Sequence, residues 1–221
     1  MMSFSFAKKN VPHTAATATR VLAIIGTAGR DKERPMTQHL WLAMIDDLRG
    51  RVENQDHLVS GGAAWADHLA VHAFLHGWVN QLTLYLPAPF ERGVFLGPTK
   101  SAASAANFYH ERFSAAIGQN SRQQIALAIA RGARIECEPS AAGYGAMFAR
   151  NKKVAELATA CLAYTFGNGQ DPADGGTLNT WKQIQGDDRV HVALATLDVT
   201  AAPELAATPN KTDRPRFRFG T

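Results

Sequence analysis

The chain has 221 residues, 46% of them hydrophobic, and a formal net charge of +4, a composition that fits one domain with a sizeable core. No apolar run approaches the length of a membrane-spanning helix, so a membrane partner is not expected. The first twenty residues and the last eleven each carry +3, which leaves −2 on residues 21–210 and disfavours a nucleic-acid groove on the folded body.

Apolar strands and amphipathic helices alternate along the chain. Strands are predicted at residues 20–26, 57–60, 82–86, 134–138, 161–166 and 190–195. Helices are predicted at about 37–51, 65–76, 103–116, 120–131 and 146–159, and from about 178 onward. This alternation predicts an α/β fold, a Rossmann-like doubly wound and mostly parallel sheet with helices on both faces.

The same pass divides the chain into segments. Residues 1–19 are predicted to be a flexible arm, residues 20–199 a single domain, and residues 200–221 a basic tail. An insertion at about 88–145 interrupts the regular alternation, and we expect it to fold over the ligand as a lid. The two cysteines, at 137 and 161, are expected to be reduced thiols of a cytoplasmic protein.

Three glycine-containing turns follow predicted strands and carry the strongest functional signal. Because the carboxyl ends of parallel strands form the ligand-binding edge of an open α/β sheet, these turns are expected to share one site. Glycines before a helix expose N–H donors that suit an anion such as phosphate. The candidate ligand-binding residues in these turns are Gly26, Thr27, Gly29, Arg30, Ser60, Gly61, Gly62, Ala63, Gly175, Gly176 and Thr177.

Each of these candidates has a simpler structural interpretation. Arg30 is a phosphate ligand or a solvated member of the charged run 30–34, and the pair Gly61 and Gly62 forms a phosphate cradle or only a tight turn. Asp67 either reaches a ribose hydroxyl or favours the start of a helix electrostatically.

Four sequence blocks in this order resemble the SLOG group of Rossmann-like proteins: VLAIIGTAGR, HLVSGGAAWADHLA, MFARNKKVAELATACLAYTF and DGGTLNTWKQ. That group includes the lysine-decarboxylase-like, or LOG, phosphoribohydrolases and the DNA-processing protein A family. The resemblance covers residues 20–86 and 145–195. It implies a doubly wound sheet that binds nucleotides or derivatives resembling ADP-ribose.

The resemblance adds two candidates and one departure. Arg150 matches an active-site arginine of the phosphoribohydrolases, and Asn151 lies beside it, although both also fit a polar helix surface. The phosphoribohydrolases carry a glutamate on the helix after their second glycine loop, whereas this chain has no carboxylate from Gly175 to Thr180. Asp171 and Asp174 precede that helix and are the remaining acidic candidates. Without a group to assist the leaving base, hydrolysis is disfavoured relative to binding.

Three functions follow, in order of preference. The first is a sensor or ligand-binding protein for a nucleotide derivative, with no certain cofactor, and a homodimer is favoured by the resemblance. The second is a nucleotide N-glycosidase in which Arg150 is the candidate catalytic residue. The third is a single-stranded DNA-binding module assisted by the basic ends.

Three histidines spaced four apart, at 68, 72 and 76, are interpreted as a polar helix face rather than a metal site.

Overall fold

A computed structural model describes residues 19–137, 145–173 and 175–198. The predicted arm at 1–19 and tail at 200–221 lie outside the described residues, except for Thr19. No helix in the described part of the chain is long and apolar enough to cross a membrane.

The centre of the molecule is a six-stranded sheet in which every neighbouring pair of strands is parallel. In chain order the strands are β1 (Val21–Gly26), β2 (His57–Ser60), β3 (Gln81–Leu86), β6 (Arg134–Cys137), β7 (Ala160–Thr165) and β8 (Asp188–Ala193). Their spatial order is β6-β3-β2-β1-β7-β8. The chain therefore switches direction across the sheet between β1 and β7, where open α/β sheets form a ligand crevice.

Helices cover both faces of this sheet. The helices are α1 (Gln38–Arg49), α2 (His68–Leu75), α3 (Ala102–Ile117), α4 (Ser121–Ala130), α5 (Gly145–Leu157), α6 (Gly176–Gln183) and α7 (Leu194–Asp198). Alternate residues of β1 enter two separate cores, because successive strand side chains point to opposite faces. Leu22 and Ile24 pack with α1 to α4, whereas Ala23 and Ile25 pack with α5 and α6. The predicted α/β class is thus confirmed.

The structure moves several predicted boundaries. The last strand lies two residues earlier than predicted, because Leu194 leaves the sheet to begin α7 and is fully buried there. A short hairpin of β4 (Phe90–Glu91) and β5 (Val94–Phe95) was not predicted. The predicted helix at 65–76 divides into a 3₁₀ turn at Trp65–Asp67 followed by α2.

Within the segment predicted as an insertion, β6 pairs with β3 and becomes an edge strand of the main sheet. Helices α3 and α4 pack on the same face of the sheet as α2. The segment is therefore built into the fold, at least over residues 88–137.

Candidate functional site

A cavity of about 430 Å³ opens at the carboxyl edge of the sheet, beside the switch point between β1 and β7. We call it the first cavity. Eleven of the fourteen candidate residues line it: Gly26, Thr27, Arg30, Gly61, Ala63, Asp67, Arg150, Asn151, Gly175, Gly176 and Thr177. The three glycine-containing turns and the Arg150 segment therefore meet in space, as the sequence predicted.

The start of α6 forms one wall of the first cavity. Gly175 caps this helix without a side-chain hydrogen bond, and its φ of 97° and ψ of −151° belong to a region open almost only to glycine. The Thr177 hydroxyl donates to the carbonyl of Gly26 at 3.0 Å, which fixes the helix against the end of β1. The first N–H groups of α6 thus face the cavity without a capping side chain, an arrangement that favours an anion.

Arg150 reaches the same cavity from α5 and is only 8% exposed. Its Nη1 donates to the carbonyl of Gly61, and its Nε is buried with no hydrogen-bond partner in the described part of the chain. Burial lowers the pKa of the guanidinium, and Asp67 opposes that shift. Arginine nevertheless stays protonated in proteins, so Arg150 is a buried cation with unused donor capacity.

The glycine loop at 61–62 differs from the expected phosphate cradle. The Asp67 carboxylate accepts a hydrogen bond from the N–H of Ala63 at 3.3 Å. The Gly62 N–H is directed to the Ser60 hydroxyl at 3.4 Å. Two donors of the loop are therefore paired within the protein.

Asp67 lines the first cavity and also contacts its own loop, a contact that the sequence did not predict. Burial raises the pKa of its carboxyl, whereas Arg150 and the loop N–H groups lower it. A side chain added at Gly61 would lie 2.9 Å from Asp67 Oδ2 and 3.0 Å from Arg150 Cζ. Glycine at this position thus lets the acidic and basic side chains approach the loop closely.

Three predicted residues do not line the first cavity. Ser60 is fully buried, and its hydroxyl donates to the backbone carbonyl of Asp67 at 3.0 Å. The carbonyl of Gly62 accepts from His110 Nε2 at 3.0 Å, which attaches the loop to α3. Gly29 lies under the indole of Trp65, where an added Cβ would come within 2.5 Å of Nε1. Gly29 instead lines a neighbouring cavity that is described below.

Sequence reasoning missed six residues that also line the first cavity: Ile25, Ala28, Met147, Phe148, Val154 and Thr180. Phe148 is the most informative of them, because its side chain is 64% exposed at the cavity. Its position two residues before Arg150 was the available signal. None of the described residues of the 88–145 segment lines this cavity, so the lid hypothesis finds no support over residues 88–137.

The remaining predictions concern the two acidic candidates that precede α6 and the three histidines at 68, 72 and 76. The Asp171 carboxylate accepts from the Trp181 indole at 3.1 Å and does not line the first cavity, and Asp174 lies outside the described residues. The histidine face is not polar as predicted, since His68 is fully buried and His72 half-buried against Trp41. Within the described ranges no group of three His, Cys, Asp or Glu side chains could hold a metal ion.

The fold and this cavity define an α/β protein of Rossmann-like topology with an anion-compatible site at its switch point. The chain belongs to the same family as the uncharacterized protein R261 of Acanthamoeba polyphaga mimivirus. The two are 33% identical over 183 residues, which cover 79% of this chain and 96% of that protein. No family model matches the chain.

Two solved structures of DNA-processing protein A are distantly similar to this chain. The Helicobacter pylori protein, which binds single-stranded DNA, gives a TM-score of 0.36 at 17% identity, covering 82% of this chain and 80% of that one. The Streptococcus pneumoniae protein gives a TM-score of 0.41 at 12% identity, covering 84% of this chain and 62% of that one.

Proposed function

We propose that the protein binds a nucleotide or nucleotide derivative in the first cavity, as a sensor or ligand-binding protein. The observation that carries this proposal is the meeting of an uncapped α6 N-terminus with the buried cation Arg150 in one cavity. Both groups favour an anion, and a phosphate accepts hydrogen bonds from each.

The rest of the cavity suits the remainder of a nucleotide. Its volume of about 430 Å³ lies within the usual range for small-molecule sites. The exposed ring of Phe148 offers a stacking surface for a base, and the Asn151 side chain offers both a donor and an acceptor for polar groups. A helix terminus contributes at most ~2 kcal/mol to anion binding, whereas micromolar affinity needs roughly 8, so these additional contacts are required.

Calorimetric titration with AMP, ADP and ADP-ribose tests the proposal. Phe148→Ala should weaken binding about tenfold through lost stacking, without a stability change, because the ring is exposed. The matched control is Leu127→Ala, since Leu127 is 44% exposed on α4. Leu127 lines neither the first cavity nor the second cavity that is described in the next subsection. Arg150→Met should abolish measurable binding in protein shown by circular dichroism to be folded. Unchanged affinity in both site variants would exclude the first cavity as the binding site.

Hydrolysis of an N-glycosidic bond is the second candidate, as in the LOG-like enzymes that the sequence resembles. Asp67 favours it, because it is the one acidic side chain among the described residues lining the first cavity and burial raises its pKa. A raised pKa favours the protonated form of a carboxyl, which is the form that donates a proton to a leaving base. Incubation with AMP, followed by chromatography, separates the alternatives: binding alone leaves AMP intact, whereas an enzyme releases adenine and loses that activity in Asp67→Asn.

A further inference from the structure

A second cavity of about 630 Å³ lies next to the first and has a different composition. Trp65 and two residues of α3, Phe108 and Tyr109, supply its aromatic surface. Phe108 is 50% exposed, although a ring of this size is normally buried. The second cavity therefore presents aromatic area that the fold itself does not use.

The same cavity is rich in unpaired cations. Arg30, Lys32 and Arg112 line it, and none of them has an acidic partner within ion-pair distance among the described residues. The single acidic residue in its described lining, Asp31, is already paired with Arg34 at 2.7 Å. The cavity thus combines uncompensated positive charge with the half-exposed ring of Phe108.

Two of the cations in the second cavity lie over its aromatic rings. The Arg30 guanidinium lies over the Tyr109 ring at 5.1 Å, and that of Arg112 lies over Phe108 at 5.5 Å. Such contacts hold each cation beside an aromatic face. A base stacked on the rings with its phosphate near the guanidinium groups satisfies both features at once.

Arg30 connects the two cavities, because it lines both. Its Nη2 also approaches Met147 Sδ at 3.5 Å on the side of the first cavity. A phosphate beside Arg30 is therefore positioned to link a group in one cavity to a group in the other.

From this arrangement we infer that the ligand has two phosphate-linked nucleoside units, one in each cavity, with Arg30 between them. The inference rests on the proposed function, since it takes the first unit to occupy the first cavity. It assigns the second unit to Phe108, Tyr109 and Arg112 of α3, and Lys32 supplies further positive charge.

Comparison of AMP with the linear dinucleotide pApA tests the inference. The wild-type protein should bind pApA at least about tenfold more tightly than AMP, because a second base gains its own stacking surface. Phe108→Ala and Arg112→Ala should reduce pApA affinity to that of AMP while leaving AMP affinity unchanged. Arg49→Ala is the matched control, since Arg49 is an exposed arginine over an aromatic ring, Trp78, outside both cavities.

The outcomes separate this inference from the proposed function. Equal affinities for AMP and pApA, or a pApA affinity that Phe108→Ala does not change, would overturn the proposed site in the second cavity and leave the site in the first cavity intact. Binding of pApA that responds to Phe108→Ala but not to Phe148→Ala would instead overturn the proposed first site. No binding of either ligand overturns both. A twelve-residue thymidine oligonucleotide that binds more tightly than pApA, with a steep salt dependence, would overturn the two-unit ligand and favour single-stranded nucleic acid.

Discussion

Asp67 places a negative charge inside the glycine loop where an external phosphate was expected. Its carboxylate accepts from the Ala63 N–H, and the nearby Arg150 cation favours its ionised form. The loop is therefore complete without a ligand, and the anion-compatible part of the first cavity shifts to α6 and Arg150. The buried acid and base depend on each other, because each lowers the cost of burying the other's charge.

Removing the Asp67 carboxylate should therefore destabilise the fold. Asp67→Ala leaves the Ala63 N–H without its acceptor and removes the negative charge that opposes the buried Arg150 cation, at a cost of about 3 kcal/mol in the free energy of unfolding. Asp67→Asn should cost less, since its amide oxygen still accepts this hydrogen bond. Urea denaturation at pH 7 measures both values. Equal stability of Asp67→Ala and wild type would show that the carboxylate does not support the loop.

At this scale the sequence predicted which residues assemble but not which groups they contact. The two glycine pairs were placed at one sheet edge from the order of the strands, and Arg150 was added from the family resemblance. Gly61, Gly175, Gly176 and Arg150 all line the first cavity. The contact between the Asp67 carboxylate and its own loop depends on the 3₁₀ turn and on Trp65. The φ of Trp65, 64°, is rare for a residue with a large side chain. Such a backbone conformation follows from the packing of Trp65 against Phe113 and Gly29, which connects distant parts of the chain.

Helix α6 depends on the backbone conformation of its N-cap. Gly175→Ala places a Cβ at φ 97°, ψ −151°, so we expect a loss of about 1–3 kcal/mol of stability. The adjacent Gly176→Ala is the matched control, because Gly176 is the first helical residue and an added Cβ meets only Asn151 Nδ2, at 3.4 Å. Thermal or urea denaturation should show a loss in the first variant and little change in the second. Equal losses in both variants would contradict the conformational explanation.

Elements with a local sequence pattern were predictable, and those set by tertiary contacts were not. The six strands of the main sheet were predicted from short and mostly apolar segments, and all six are found. The β4–β5 hairpin has only two residues in each strand, too few for an alternating pattern. Its turn has positive φ at both Arg92 and Gly93, whereas the usual sequence signal for such a turn begins with Asn, Asp or Gly.

At the scale of the whole molecule, buried histidines connect α2 and α3 to neighbouring elements, His68 to α4 and His110 to the glycine loop. His110 donates to the Gly62 carbonyl, and His68 contacts the Gln124 side chain through Nε2 at 2.7 Å. Their rings lie 5.7 Å apart, so a charge on either one opposes a charge on the other. Burial lowers the pKa of His68 to about 3 and that of His110 to about 4.

These pKa values predict loss of stability in mild acid. Above pH 6.5 both histidines are neutral in the folded and unfolded chains, and they make no pH-dependent contribution. Between pH 6.5 and 5 these histidines bind protons in the unfolded chain but not in the folded protein, so the free energy of unfolding falls as pH falls. The loss approaches ~1.4 kcal/mol per pH unit for each fully buried histidine. The partly exposed His72, whose pKa burial lowers to about 4, adds a smaller loss.

His110→Gln isolates one of these contributions, because the glutamine amide retains a donor for the Gly62 carbonyl but does not titrate. Urea denaturation from pH 8 to pH 5 should give parallel stability curves for variant and wild type above pH 7. Below pH 6.5 the variant's free energy of unfolding should fall less steeply, because the variant lacks the contribution of one titrating histidine. Curves that remain parallel down to pH 5 would mean that His110 accepts its proton in the folded protein, and that the link between α3 and the glycine loop survives a charged ring.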